Sequence, residues 1–530
     1  IPWMRLNEYS LTQLGHGKFQ KRIQATITSE TDYIATDLAS DKKATNRILG
    51  DLGLPVPRQI AVTSPDEATK AARRIGYPVV VKPLDGNHGN GISVNLATDQ
   101  AVVEAFDFAL KYNKRGRTVI VETFIQGLDH RMLVVDGKLE AVSKRVPGHI
   151  VGDGKHTASE LIDIVNSDPR RGVGHEKVLT RLELDKTAKA HLSEVGYDEN
   201  SVPKDGEIVF LRSTANLSTG GTAVDVTDIV HPDNRAMAER AVKAIGLDIG
   251  GVDFLSVDIS QSYKDNRSGI CEVNAAPGFR MHVAPSEGKS RDVSGAVMDM
   301  LFPVGTPSRV PIAAITGTNG KTTVSRMVAH IHKLSGNTVG LATTDGVYID
   351  GNLTVKGDLT GPRAAQMILR DPTIDAAVLE TARGGLLRSG MGFERCDVGA
   401  VLNIDADHLG LKGIETVEDL ARVKRIVVEV AADTAVLNAD DELCLKMASH
   451  TQANHICYVT MNANHPLVRE HVRIGGRAIV LEQGMNGHMI TIYENSSNIQ
   501  LMWTHLIPAT IDGKAMHNVQ NAMFAAAICY

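Results

Sequence analysis

The sequence lacks the features of two large classes of protein. It contains no block of Lys and Arg residues, and its formal net charge is −6, so it has no basic field of the kind that attracts nucleic acid. No apolar run reaches the roughly 18 residues that a membrane-spanning helix requires. We therefore expect neither nucleic acid nor membrane among its partners.

Cysteine is scarce. The chain has 5 cysteines, an odd number, and no Cys-x-x-Cys pair that would indicate zinc binding or dithiol redox chemistry. They are Cys271, Cys396, Cys444, Cys457 and Cys529. We expect buried thiols in a reducing compartment, the cytoplasm.

Aromatic residues are few, at 4%, whereas glycine is abundant, with 48 residues. This balance favours an α/β architecture with many tight turns between strands and helices. A chain of 530 residues also exceeds what one hydrophobic core usually supports. Three prolines and a glycine at 302–311 precede a new apolar strand, so the sequence predicts two domains, residues 1–304 and 305–530.

A phosphate-binding loop follows the first strand of the second domain. Its residues are Gly317, Thr318, Asn319, Gly320, Lys321, Thr322 and Thr323. Glycines allow backbone N–H groups to surround phosphate oxygens, Lys321 neutralises charge, and the hydroxyl of Thr322 can coordinate Mg²⁺. The strand before the loop and the helix after it are the context that such a loop needs, within a doubly wound, mostly parallel sheet.

The spacing Gly-x-x-Gly-Lys-Thr and three later segments resemble the Mur ligase family. The segments are Glu380–Gly385, Asn403–His408 and His517–Asn521. The resemblance implies that Glu380 and His408 ligate magnesium and that Asn403 lies beside the phosphates. It also implies that Asn518 and Asn521 approach the nucleotide base.

Two further expectations follow from the Mur resemblance. Lys424 falls near the position where many Mur-type ligases carry a carbamylated lysine, and a plain solvated lysine is an alternative of at least equal weight. A complete Mur ligase continues into a third domain that closes over the nucleotide, whereas this sequence stops at Tyr530. We expect that this C-terminal lid is missing, and an N-terminal region as well, because Ile1 is not an initiator methionine.

The first domain carries a different nucleotide signature. Its segments are Val81–Pro83, the Gly-rich loop Asp85–Gly91, Val121–Ile125 and Glu272–Gly278. Glu272 and Asn274 stand two apart on a predicted strand, so both side chains point to one face and their oxygens can reach the same hard cation.

This order resembles the ATP-grasp fold, in which the nucleotide lies between two small sheets beneath the Gly-rich loop. The resemblance implies that Lys82 contacts phosphate and that Glu122 lies at the adenine–ribose hinge. Gly89 and Gly91 belong to the loop over the phosphates.

The ATP-grasp resemblance also implies a metal site and a second phosphate contact. Asp253, Glu272 and Asn274 would hold magnesium, and Asp258 competes with Asp253 for that role. Lys42 is the candidate for the second phosphate contact, with Lys43 as its alternative.

Five basic side chains near the two sets of motifs are candidates to bind substrate carboxylates, because arginine suits bidentate recognition of a carboxylate. They are Arg131, Arg280, His282, Arg383 and Arg388. A structural ion pair is an equal alternative for each. The predicted catalytic residues are Lys82, Arg280, Lys321, Glu380 and His408.

An ATP-grasp domain followed by a Mur-like domain resembles the cyanophycin synthetase family over nearly all of the chain. The segments Gly357–Pro362 and Glu380–Arg388 contribute to that resemblance. Such enzymes extend a poly-aspartate backbone at the ATP-grasp site and join arginine to each β-carboxyl at the Mur-like site, both through acyl phosphates. The resemblance implies ATP at two sites, Mg²⁺, a polymer primer and a homo-oligomer.

Three alternatives stay open. One is a ligase that polymerises β-aspartyl-arginine and needs only the ATP-grasp site, although Lys321, Thr322, Glu380 and His408 are all present here. Another is a pair of ligase sites that makes a different peptide. The third is a nucleotide-gated scaffold without enzymatic activity.

Overall fold

The computed structural model describes residues 1–84, 91–113, 116–174, 176–212, 214–406, 409–410, 413–495 and 497–530. These residues form two compact units, Ile23–Gly305 and Ile1–Arg22 together with Thr306–Tyr530. The predicted boundary after residue 304 lies one residue before the observed division. The structure differs from the prediction for the first 22 residues, which were assigned to the first domain and belong to the second unit.

The first 22 residues pack against residues 306–530 through buried contacts that no local sequence pattern predicts. The side-chain amide of Gln13 donates to the carbonyl oxygen of Leu369 at 3.0 Å, and the backbone N–H of His16 donates to that of Ser308 at 2.9 Å. Met4 and Phe19 pack against the apolar core of that unit. These partners are hundreds of residues away, so only the folded chain brings them together.

Four short strands lie near the N-terminus, where β1 pairs with β2 and β3 pairs with β4, both antiparallel. They are β1 (Trp3–Arg5), β2 (Thr12–Leu14), β3 (Lys21–Gln24) and β4 (Ile27–Thr28).

The unit Ile23–Gly305 contains thirteen further strands and nine α-helices in its described residues. The strands are β5 (Gln59–Val62), β6 (Val79–Pro83), β7 (Ser93–Leu96), β8 (Val119–Thr123), β9 (Leu128–Val135), β10 (Lys138–Val146), β11 (His149–Val151), β12 (Arg171–Gly172), β13 (Leu179–Thr180), β14 (Ile208–Phe210), β15 (Thr222–Asp225), β16 (Ile249–Ser256) and β17 (Gly269–Asn274). The helices are α1 (Tyr33–Ser40), α2 (Lys42–Asp51), α3 (Pro65–Ile75), α4 (Asp99–Leu110), α5 (Ala158–Asn166), α6 (Lys186–Glu194), α7 (Pro232–Ile245), α8 (Arg280–Val283) and α9 (Val293–Leu301).

Two sheets in this unit carry the predicted nucleotide motifs. One has the order β5-β8-β6-β7, and its core includes α3 and α4. The other has the order β15-β10-β9-β16-β17, and its core includes α7. Helix α7 shows how sequence sets an element, because Pro232 stands in its first turn, Gly246 ends it in a left-handed conformation, and Met237, Ala241 and Ile245 recur four residues apart on the buried face.

The other unit adds eleven strands and seven α-helices in its described residues. The strands are β18 (Ile312–Thr316), β19 (Val339–Thr343), β20 (Gly346–Ile349), β21 (Asn352–Lys356), β22 (Ala376–Glu380), β23 (Cys396–Val401), β24 (Ala431–Asn438), β25 (His455–Thr460), β26 (Arg477–Gly484), β27 (Gly487–Glu494) and β28 (Ser497–Trp503). The helices are α10 (Lys321–Leu334), α11 (Pro362–Arg370), α12 (Arg383–Ser389), α13 (Val417–Glu429), α14 (Glu442–Lys446), α15 (Pro466–Arg473) and α16 (Met516–Cys529).

These strands form one large sheet in the order β21-β20-β19-β22-β18-β23-β24-β25-β26-β27-β28. The strands from β19 to β26 in that order are parallel, and the outer ones are antiparallel. The predicted mostly parallel sheet is therefore confirmed. Strand β18 lies between β22 and β23, so the residues that follow these three strands meet at one edge, where open α/β sheets bind ligands.

Among the helices that the structure describes, none combines the length and the apolar character that crossing a membrane would require.

Candidate functional site

The phosphate loop of the second unit connects the fully buried strand β18 to helix α10. Gly320 has φ +85° at the start of the helix, a left-handed conformation that favours glycine. A Cβ atom at this position would collide with Oδ1 of Asn521. The loop thus presents the N–H groups of a helix N-terminus at the edge of the sheet, an arrangement suited to phosphate.

Asn403 braces this loop from the end of β23. Its Oδ1 accepts from the backbone N–H of Asn319 at 2.8 Å, and its Nδ2 donates to the carbonyl oxygen of Asn319 at 3.2 Å. Its own carbonyl oxygen accepts from the N–H of Thr318 at 3.0 Å. The sequence analysis expected Asn403 beside the phosphates, and the structure places it against the loop.

Glu380 ends the buried strand β22 and is 2% exposed. Its Oε2 accepts from the hydroxyl of Thr322 at 2.8 Å and from the N–H of Thr344 at 3.3 Å. Its Oε1 has no hydrogen-bond partner among the described residues. Burial raises the pKa of this carboxyl.

A buried carboxylate oxygen without a partner, next to a threonine hydroxyl, suits a hard divalent cation. Thr322 and Glu380 would hold Mg²⁺ here, and Lys321, whose Nζ donates to the carbonyl oxygen of Thr318 at 2.9 Å, lies at the same helix end. The third predicted member, His408, lies outside the described residues. Among the residues that are described, no three His, Cys, Asp or Glu side chains group closely enough to hold a metal.

Glu380→Gln is expected to raise the thermal midpoint of the nucleotide-free protein at neutral pH. Because the folded-state pKa of Glu380 is raised, its ionised form destabilises the fold at every pH above the ordinary carboxyl pKa. The difference in midpoint should vanish as the pH falls below that value, since the wild-type side chain is then protonated in both states.

Calorimetry of both proteins without nucleotide, between about pH 4 and pH 8, measures this effect. The matched control is Glu442→Gln, because the side chain of Glu442 is 82% exposed. A lower midpoint in Glu380→Gln at neutral pH would contradict the prediction.

Two other predicted residues contact the loop region from different sides. On α13, Nζ of Lys424 donates to the carbonyl oxygen of Gly317 at 2.5 Å, and the residue is 4% exposed. On α16, Nδ2 of Asn521 donates to Oδ1 of Asn518 at 3.1 Å. Lys424 is therefore buried, and the alternative of a solvated lysine is wrong. Carbamylation of Lys424 and contact of the two asparagines with the base stay predictions.

Of the two predicted substrate residues of the second unit, Arg388 lines a hollow beside Glu380, whereas Arg383 is not among the lining residues. Arg383 begins α12, and Nε of Arg388 on the same helix donates to the carbonyl oxygen of Gly384 at 2.9 Å. A cavity of about 220 Å³ is lined by Arg388, Asp358 and Arg363. It shares Thr360, Gly361 and Pro362 with a smaller cavity that Glu380 lines. A substrate seated in the hollow would therefore lie close to the phosphate loop.

In the unit Ile23–Gly305, Lys82 and Glu122 face each other across β6 and β8. Nζ of Lys82 lies 2.6 Å from Oε2 of Glu122, and the two side chains are 10% and 11% exposed. The side-chain amide of Gln59 also donates to Oε2 of Glu122, at 2.7 Å. Of the two predicted loop glycines, Gly91 is among the described residues, whereas Gly89 lies outside them.

The predicted metal residues of this unit lie on the other sheet. Asp253 on β16 is the cross-strand neighbour of Glu272 on β17, and Nζ of Lys42 lies 3.8 Å from Oε2 of Glu272. Nδ2 of Asn274 donates to the carbonyl oxygen of Gly251 at 3.4 Å. Asp258, the alternative ligand, instead accepts from the N–H and hydroxyl of Ser260 in an exposed turn.

Asp253 is held between two arginines. Arg131 on β9 bonds to Oδ1, and Arg145 on β10 donates to Oδ2 at 2.9 Å and to Oδ1 of Asp129 at 2.6 Å. Although burial opposes ionisation, the two guanidinium groups hold the pKa of Asp253 below its ordinary value. Burial raises the pKa of Asp129. Arg131 thus has the structural ion pair that was its alternative reading, and metal binding by Asp253 stays a prediction.

The sequence analysis missed the pairing of Arg145 with Asp129. The dipeptide Asp136-Gly137 is a hairpin signal that fixes Val135 opposite Lys138. Straight pairing from that turn would set Asp129 opposite Lys144, but an irregularity between Leu139 and Ala141 shifts the register by one residue. The local sequence therefore predicts the turn but not the bulge.

Helix α8 carries the other two predicted substrate residues. Nη1 of Arg280 donates to the carbonyl oxygen of Lys177 at 3.5 Å. His282 is 1% exposed, and burial lowers the pKa of its imidazole to about 3, so the ring is neutral near pH 7. The structure therefore places His282 inside the fold, while Arg280 stands at the start of the helix.

Two domain families match the chain. Residues 35–135 match the ATP-grasp domain, and residues 315–529 match the Mur ligase middle domain. The chain thus contains a region that matches the ATP-grasp domain, followed by one that matches the Mur ligase middle domain, which confirms the predicted α/β fold class.

Whole-chain relatives are more specific. The chain is 52% identical over 534 residues to cyanophycin synthetase from Crocosphaera subtropica, an alignment that covers 100% of this chain and 61% of that protein. It is 50% identical over 529 residues to cyanophycin synthetase from Synechocystis sp., covering 99% of this chain and 60% of that protein. The predicted resemblance is therefore confirmed, and the chain spans about three fifths of the length of these relatives.

A second kind of relative matches the first half alone. The glutathione biosynthesis bifunctional protein of Enterococcus faecalis is 35% identical over 296 residues, which cover 55% of this chain and 39% of that protein.

Proposed function

We propose that the protein is an ATP-dependent ligase that makes cyanophycin, multi-L-arginyl-poly-L-aspartate. The ATP-grasp site adds aspartate to the C-terminus of the backbone, and the Mur-like site joins arginine to the β-carboxyl of that aspartate. The observation that supports the proposal is the presence of two separate sets of candidate nucleotide-site side chains, Lys82 with Glu122 and Lys321 with Thr322 and Glu380, in a chain similar to cyanophycin synthetases throughout.

Both sites solve the same chemical problem. A carboxylate is a poor electrophile, so the γ-phosphoryl group of ATP is transferred to a carboxylate oxygen and ADP leaves. The amine of the incoming amino acid then attacks the carbonyl carbon, the C–O bond to phosphate breaks, and the amine proton is released. Lys82 and Lys321 offset the negative charge of phosphoryl transfer at their sites, and the loop N–H groups orient the phosphates.

Each site also presents candidate metal ligands, Thr322 with Glu380 and Glu272 with Asn274. Bound Mg²⁺ would neutralise phosphate charge. The proposal includes a homo-oligomeric assembly and a cytoplasmic location, which rest on the family resemblance and on the scattered cysteines.

Phosphate release by the full-length protein with ATP, Mg²⁺ and a short Asp–Arg primer tests the proposal. We expect sustained release only when aspartate and arginine are both present. With one amino acid alone we expect a single round of release: with aspartate if the last residue of the primer carries its arginine, and with arginine if it is an unmodified aspartate. Release with β-aspartyl-arginine alone would favour the dipeptide polymerase, and release with other amino acids would favour a different peptide. Tight ATP binding without release under any condition would favour the scaffold.

A further inference from the structure

The chain that follows the predicted metal motif turns back along β15. We call residues 284–292 the return segment. The N–H of Ser286 donates to the carbonyl oxygen of Ala223 at 2.8 Å. The N–H of Asp225 donates to the carbonyl oxygen of Glu287 at 2.9 Å. The hydroxyl of Ser286 also accepts from the N–H of Ala223 at 3.0 Å. The return segment is thus laid against the edge of the five-stranded sheet.

Arg291 fastens the end of the return segment with a double ion pair. Its Nη2 lies 2.5 Å from Oδ2 of Asp225, its Nε donates to both oxygens of that carboxylate at 3.1 Å, and its Nη1 donates to Asp228 at 2.9 Å. The side chains of Arg291 and Asp225 are 19% and 7% exposed. Such a planar, forked and mostly enclosed contact fixes orientation as well as position.

The same residue also holds helix α8. The backbone N–H of Arg291 donates to the carbonyl oxygen of His282 at 2.9 Å. On the opposite side, Nδ1 of His282 lies 3.0 Å from the hydroxyl oxygen of Ser143, and that hydroxyl is 3.2 Å from the carbonyl oxygen of Met281, to which it donates. Helix α8 is therefore held between β10 and Arg291, although it has only 4 residues.

We propose that Arg291 is a positioning residue for binding of the carboxylate-bearing acceptor, the end of the growing peptide. By holding α8, it sets the place of Arg280, which begins that helix a few residues beyond Glu272 and Asn274. This inference rests on the proposed function of the ATP-grasp site. Arg291 acts through the segment and not on the reacting atoms, so its loss affects the acceptor and not ATP, whose candidate contacts Lys82 and Glu122 lie on β6 and β8.

The test compares Arg291→Lys with wild type in the full-length protein. Lysine keeps the positive charge but cannot form the forked contact. We expect the KM for a primer in aspartate-dependent phosphate release to rise about tenfold, because small misplacements of a binding group have effects of that order. The kcat and the KM for ATP should stay within about twofold, and Asp225→Asn should behave in the same way.

The matched control is Lys289→Ala. Lys289 also pairs with Asp228, at 2.7 Å, but its side chain is 73% exposed. The substitution should therefore leave the primer KM, the ATP KM and kcat unchanged. Hydrogen exchange gives a readout that does not depend on turnover. Amides of residues 279–288 should exchange faster in Arg291→Lys, whereas those of β16 should not.

Two results would overturn the inference. One is an active Arg291→Lys enzyme with an unchanged primer KM, and the other is an equal rise in the KM values for primer and ATP, which indicates general loosening. Failure of the proposed function can be told apart from failure of this inference. If the proposed function is wrong, the wild-type protein itself shows no aspartate-dependent release. That outcome refutes both proposals, whereas an active wild type with an unchanged variant refutes this one alone.

Discussion

Lys321→Ala should reduce arginine-dependent phosphate release by about 10²–10³-fold, because it removes a preorganised positive group from the N-terminus of α10, where the phosphates of ATP would lie. One aspartate addition per primer should survive in this variant, since the groups of the other site are on different sheets. Sustained synthesis should stop, because an aspartate without its arginine accumulates at the primer end. Phosphate release with aspartate alone, arginine alone and both measures each step.

The control for this variant lies on the same helix. Lys333, near the C-terminal end of α10, has a 49% exposed side chain that pairs with Asp350 at 3.3 Å. Lys333→Ala should release phosphate at the wild-type rate. If Lys321→Ala also matched wild type with both amino acids, the Mur-like domain would not be a catalyst and the dipeptide polymerase would be favoured.

Lys82→Ala should give the complementary result, a loss of aspartate addition of about 10²–10³-fold. A primer that ends in an unmodified aspartate should still accept one arginine, because Lys321, Thr322 and Glu380 are untouched. Product masses after a single round would show this difference. Aspartate addition at the wild-type rate would contradict the assignment of Lys82.

The Lys82 variant also has a cost in stability that must be separated from catalysis. It leaves the carboxylate of Glu122, 11% exposed, without its 2.6 Å partner, and breaking a buried pair in this way destabilises by about 3–5 kcal/mol. Lys82→Met combined with Glu122→Gln removes both charges and should recover much of the thermal midpoint without recovering activity. Lys70→Ala, at an exposed position on α3, is the matched control for a lysine lost from the same unit.

The phosphate loop illustrates what a local pattern can predict. A buried apolar strand, a glycine-rich turn and a helix follow one another within about twenty residues, and the structure forms these elements as β18, the loop and α10. Glu380 was also predicted as a strand-end carboxylate, and it lies at the end of β22 next to Thr322. The positions of these elements are therefore as predicted, while the roles of their side chains stay predictions. Glu380 lies beside Thr322 because adjacent parallel strands bring their C-terminal ends to one edge.

Other features of the sites depend on register and burial. Asp253 was expected as a metal ligand, yet its two oxygens face Arg131 and Arg145 because three strands align those residues on one face. His282 was expected to contact substrate, yet it is enclosed against Ser143. Neither arrangement can be predicted from spacing along the chain. The first depends on the register of three strands, and the second on the packing of helix α8 against β10.

By itself, the sequence determined the two nucleotide modules, their order, the strand-end positions of their charged residues and the resemblance to cyanophycin synthetases, because these depend on short runs of neighbouring residues. Only the tertiary structure decided that residues 1–22 belong with 306–530, that Arg145 bridges Asp129 and Asp253, and that Arg291 fastens α8. Each of these rests on contacts between residues far apart in the chain, and such contacts are selected by packing and register rather than by local propensity.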